Sequence, residues 1–223
     1  MCWSKRASLV AAVSGAGILA AKILLQKPPF ITLLPITLYT AMEFLQYMQY
    51  DTLDDCKSTR NSTLAKVAYY LIWLQPIVWN LTWSASNSSP VFKYTLALSV
   101  FVFFLCLDRH WLRILHNGPV NKNEAHNTGQ DCTRKGKTHL FWTFDLKTAG
   151  GLEPNWILYF LLMFAPHIYL GDTQHFAKSM VAGLVLAWSL AGGRVEEFTS
   201  YWCANSVPYL VFAEVVSLLK PLA

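Results

Sequence analysis

"AMEFLQYMQY", residues 41–50, closes a long apolar run and yet carries Glu43, Gln46 and Gln49. Whether this run crosses a membrane or packs inside protein decides the fold. Tyr39, Glu43, Gln46 and Tyr50 recur at i, i+4, i+7 and i+11, so a helix sets them on one stripe. A carboxyl and an amide facing lipid would have no partner. The stripe is therefore expected to turn inward as a polar seam. Ionisable groups inside a bilayer are expensive, which makes each a functional candidate.

The rest of the chain supports a membrane reading of this run. Only 14% of the 223 residues are charged, and mean hydropathy is +0.31. A soluble domain carries about 25% charge. The apolar residues also come in blocks, and about 20 of them can cross a bilayer as a helix. Seven spans are expected, over residues 7–26, 30–50, 64–84, 91–107, 156–171, 176–192 and 198–219. Six spans with one re-entrant segment is the alternative. The fold class is thus an all-α polytopic transmembrane bundle forming one domain, 1–223. Trp and Tyr near the span ends read as an interfacial belt. The first span has the basic start and small residues of a signal peptide but reads as retained. Its Ser8, Ala12, Gly15 and Ala16 form a small-residue face for close helix packing.

Residues 108–154 form an extramembrane cap of about 45 residues. It opens with "DRHWLRILHNG", which reads as an amphipathic helix lying on the membrane. Trp111 would face lipid, with Arg109 and Arg113 at the head groups. "HLFWTFDLK" alternates enough for a short strand or an interfacial segment. By the expected topology the N-terminal side collects thirteen Lys and Arg against five, seven of the thirteen in the cap. The positive-inside rule then sets the N-terminus on the cytoplasm-equivalent side. The sequon at Asn61 and the pair Cys56 and Cys132, which could bridge in an oxidising compartment, pull the other way. The sequon at Asn87 favours the charge-based orientation and is the glycosylation candidate.

Polar residues within the spans nominate the site: Glu43 and Gln46 on span two, Gln75 and Asn80 on span three, His167 on span five, Asn205 and Ser206 on span seven. They line either a polar conduit or a set of interhelical hydrogen bonds that lock the bundle. Glu214 reads as interfacial. His126, Asp131, Cys132, His139 and Asp145 could ligate metal, but their spacing matches no zinc pattern, and no metal or cofactor is expected. GxSxG, HExxH, P-loop and dinucleotide fingerprints are absent. Three functions remain in order. The first is a non-catalytic protein, a subunit of a larger membrane assembly. The second is a carrier or channel for a small solute, ion or proton. The third is a lipid-modifying enzyme. Membrane lipids and other membrane subunits are the expected partners; nucleic acid is not.

Overall fold

The computed structural model describes residues 4–170, 174–203 and 205. Four helices follow in sequence: α1 (Lys5–Leu25), α2 (Phe30–Gln49), α3 (Thr59–Ser86) and α4 (Pro90–Leu107). A π-helical turn, Asp108–Leu112, extends α4. Strands β1 (Cys132–Lys135) and β2 (Leu140–Thr143) then pair antiparallel, Cys132 opposite Thr143. Helices α5 (Trp156–Leu170), α6 (Gln174–Leu190) and α7 (195–203) complete the described chain.

Local chemistry sets these boundaries. Ser4 caps α1 by accepting a hydrogen bond from the Ala7 N–H, and Ser89 caps α4 with Pro90 just behind it. Lys27, in the left-handed region, and the two prolines after it end α1. Arg113, also left-handed, ends the π-helical turn. Along the bundle, α1 packs on α2, α2 on α3, α3 on α4 and α5, and α5 on α6.

This arrangement overturns the seven-span bundle, its six-span variant and the multi-pass and transport descriptions that came with them. Among the described residues, two helices are long and apolar enough to cross a membrane: Lys5–Leu25 and Pro90–Leu112. Helices α5 and α6, at 15 and 17 residues, are shorter than the roughly 20 that a bilayer needs. Helices α2 and α3 are long enough, but they are diluted by polar residues whose place is inside the protein. Met42, Glu43, Gln46 and Gln49 of α2 and Ala65, Ala68, Gln75 and Asn80 of α3 are all buried. Most of the seventh expected span, with Ser206 and Glu214, lies outside the described residues.

The cap is ordered and shares its core with the helices. Trp142, the largest fully buried side chain, sits in one cluster with Met42, Tyr69 and Tyr159. Its indole N–H donates to the Gln49 carbonyl oxygen at 3.0 Å, tying β2 to the end of α2. Asp108 accepts from the N–H groups of Ile114, Leu115 and His116 and from the His116 ring. A disulfide joins Cys56, in the α2–α3 connection, to Cys132 of β1. The expected amphipathic surface helix is replaced by the π-helical turn and a loop. Its apolar residues remain on the outside, Trp111 at 71% exposure beside Leu112, Ile114 and Leu115.

Candidate functional site

A concavity of about 970 Å³ lies where the cap meets α3, α5 and α7. Its floor is aromatic and apolar: Tyr69, Ile72 and Trp73 from α3, Phe144 after β2, Tyr159 and Phe160 from α5, and Trp202 from α7. One hydrogen-bonded chain crosses that floor. The Trp202 indole donates to the Tyr159 hydroxyl at 3.2 Å. Tyr159 donates to the Gln75 carbonyl oxygen, and the Gln75 amide reaches Cys203 Sγ at 3.8 Å.

The rim is polar. Arg109 is almost wholly buried there, and every nitrogen of its guanidinium donates. Nε meets the Lys147 carbonyl at 2.9 Å, and the terminal nitrogens meet both Glu124 oxygens and the Pro154 carbonyl. Glu153 stands beyond it. Gly150 and Gly151 both adopt positive φ, a turn that lets the N–H groups of Ala149 and Gly151 meet the Glu153 carboxylate at 2.8 Å. Burial pushes that carboxyl up, but these N–H groups and the Arg109 charge outweigh it and hold it below the usual glutamate range. His126, also on the rim, donates from Nδ1 to the Trp142 carbonyl at 2.9 Å, and burial holds its ring below the usual histidine pKa.

The residues nominated from sequence do not form one site. Gln75 is the one that lines the cavity. Glu43 and Gln46 are buried outside the cavity lining, Glu43 beside the Ser8 hydroxyl of α1 and within electrostatic reach of Cys203. Asn80 donates to the Pro76 and Leu162 carbonyls and to Ser99, joining three helices. His167 accepts from the Trp79 indole at 3.0 Å among Trp83 and Phe92. Asn205 is buried; Ser206 lies outside the described residues. Arg109 does not reach head groups, because Glu124 and two carbonyls hold it inside. Arg113 is half-exposed and pairs with Asp145. Asn87 caps the end of α3, its side chain accepting from the Ser89 N–H.

Among the metal-capable residues, Cys132 is consumed by the disulfide, Asp131 pairs with His110, and Asp145 pairs with Arg113. No group of three or more potential ligands comes together among the described residues. Tyr70, His110 and Asp131 do align, the hydroxyl 2.7 Å from Nδ1 and the carboxylate 2.8 Å from Nε2. Burial and the Asp131 charge both raise the Tyr70 pKa, so this row is a strut rather than an activated nucleophile.

The sequence reading missed Glu124, Glu153 and Tyr159. A signal existed for one of them: "AGGLEP" places a glutamate two residues after a glycine pair, a turn that offers N–H groups to a carboxylate. The others meet only across long sequence distances.

A family of unknown function, DUF5765, matches residues 6–222. The chain belongs to this family. The match takes in helices and cap together, so cavity floor and rim both fall within the family's shared unit. An uncharacterised protein, R287, of Acanthamoeba polyphaga mimivirus is 26% identical over 230 residues, covering 93% of this chain and 91% of that protein. No solved structure matches.

Proposed function

We propose that the protein is a membrane-associated, non-catalytic binding protein whose cavity takes one amphipathic small molecule. The cavity carries this reading. At about 970 Å³ it falls within the range of small-molecule sites, about 300–1,000 Å³. Its aromatic floor suits an apolar body, and its rim of charged and amide groups suits a polar end. Membrane association is supported by α1 and α4, which leave most of their apolar surface exposed, and by Trp111, Leu112, Ile114 and Leu115, which continue the α4 face. Lipid is the partner that such a face fits. Trp111 stands two residues from Arg109 of the rim, which keeps the mouth close to that face. The Cys56–Cys132 disulfide favours a cap in an oxidising compartment, against the orientation drawn from counting cations.

Photo-crosslinking tests the binding. A neutral monoacylglycerol carrying a diazirine, added to the full chain in lipid nanodiscs, is expected to label Ile72, Tyr159 and Phe160. Val120→Trp, which fills the mouth, is expected to abolish that labelling without lowering the melting temperature. Labelling confined to the outer faces of α1 and α4 refutes the reading.

A further inference from the structure

The polar end of the ligand can be assigned a charge from the rim. An anion needs an available cation, and Arg109 offers little: four of its five N–H groups are committed to Glu124, Lys147 and Pro154. Arg109 is also the one lysine or arginine among the described lining residues. Two carboxylates line the same rim. Glu124 neutralises Arg109, and Glu153 is left over, so the lining carries one net negative charge. The walls suit the opposite sign. Trp156 packs edge-to-face on Phe160, Phe160 on Trp202, and Trp73 on Tyr159. Rings at near right angles turn electron-rich faces, and not only edges, toward the space between them. Such faces attract organic cations, most of all quaternary ammonium groups, which are weakly hydrated and lose little on entering.

Building on the cavity reading above, we infer that the ligand is an organic cation: a substituted ammonium headgroup, on an apolar body, held between Glu153 and the aromatic wall that includes Trp156. Glu153 supplies the charge. Its carboxylate is fixed by the Ala149 and Gly151 N–H groups, so it is oriented before the ligand arrives and loses little freedom on binding. Trp156, more than half exposed at the mouth, supplies a ring face that can be removed at little structural cost.

Three water-soluble probes of one shape separate charge from fit: choline (cation), 3,3-dimethylbutan-1-ol (neutral) and 3,3-dimethylbutanoate (anion). Each competes with the diazirine lipid for labelling of the cavity in the full chain. Choline is expected to protect at a concentration about tenfold lower than the neutral isostere, and the anion not at all. Glu153→Gln, which removes the charge but keeps the size and one acceptor oxygen, is expected to bring the choline-to-alcohol ratio close to one. Trp156→Ala is expected to weaken choline more than the alcohol. Asp55→Asn, an exposed carboxylate outside the cavity, is expected to change neither. Equal potency of choline and alcohol, preference for the anion, or no protection by any probe while the lipid still labels the floor overturns the cation assignment and leaves the cavity reading standing. Absence of lipid labelling in the floor removes both.

Discussion

The Asn61 carboxamide is saturated by the backbone around it. Its nitrogen donates to the Thr52 and Thr133 carbonyls, and its oxygen accepts from the Thr133 N–H at 2.6 Å. The side chain is fully buried, so the sequon that it heads cannot take a glycan in the folded protein. Asn61→Ala is expected to cost about 1–3 kcal/mol, because the buried Thr133 N–H loses its acceptor, while the two carbonyls keep the Asp54 and Asp55 N–H groups, and glycosidase treatment is expected to leave the wild-type mobility unchanged. Glu43 behaves in the opposite way. Its carboxyl is buried with no neighbour stronger than the Ser8 hydroxyl, so removing it orphans at most one small polar group. Glu43→Met is expected to leave the melting temperature unchanged or raised; a clear loss would reveal a partner for the carboxyl.

His139 of the cap and Glu197 of α7 both contribute to the response to acid. Burial pushes the His139 ring down to about 3. The unfolded histidine takes up its proton near pH 6.5 while the folded one does not, so stability falls as pH drops from about 6.5 toward 3. Burial pushes Glu197 up, but the Thr138 hydroxyl and the N–H groups of Lys137, Thr138 and His139 outweigh it and hold the carboxyl below its usual range. Its contribution is full above its unfolded pKa and is lost as pH falls through the folded one. Chemical unfolding from pH 7.5 to 4 is expected to show a continuous loss, with the slope above pH 5 reduced in His139→Gln.

At the scale of elements, α1 and α2 meet through a glycine. A Cβ on Gly15 would collide with the Thr40 hydroxyl and crowd the rest of that side chain, whereas one on Gly17 would meet nothing. Rotating Thr40 alone cannot clear the space, because its Cβ and methyl stand close as well. Gly15→Ala is therefore expected to cost about 1–3 kcal/mol by forcing the helices apart. Gly17→Ala is expected to be neutral or to stabilise by up to about 1 kcal/mol, since alanine favours a helix interior. Thermal unfolding of the two variants under identical conditions decides this. Ser8 and Ala12 share the buried face, while Ala16 turns outward, so the small-residue face is narrower than the sequence spacing implied.

For the whole molecule, the disulfide is the main long-range tie. It closes 76 residues, from the α2–α3 connection, through α3 and α4, to β1. A loop of that length corresponds to about 4 kcal/mol by the chain-entropy estimate. Cys56→Ser with Cys132→Ser is expected to lose much of that stability and to release the β1–β2 hairpin first, seen as faster hydrogen exchange at Thr133 and Arg134. Equal exchange in the oxidised protein and the double variant would show that Asn61 and Trp142 hold the hairpin unaided.

Much of the local structure was legible in the sequence. The apolar blocks mark helices α1 to α4 closely, the alternation in "HLFWTFDLK" marks β2, and the stripe through Glu43 and Gln46 points inward, because periodicity and side-chain polarity are properties of a segment by itself. What the sequence could not settle is which apolar surface faces protein and which faces outward. An apolar run satisfies either environment, and α2 and α3 read as spans until their partners are known. The same holds for the site. Gln75 was nominated as part of an intramembrane polar seam, but Arg109, Glu124, Glu153, Tyr159 and Trp202 become one cavity only when the cap folds down onto α3, α5 and α7. Arg109 was read as a head-group contact because its neighbours are apolar. Glu124, fifteen residues away, draws it inside, since a buried guanidinium is tolerated where a carboxylate neutralises it and carbonyls accept most of its remaining donors.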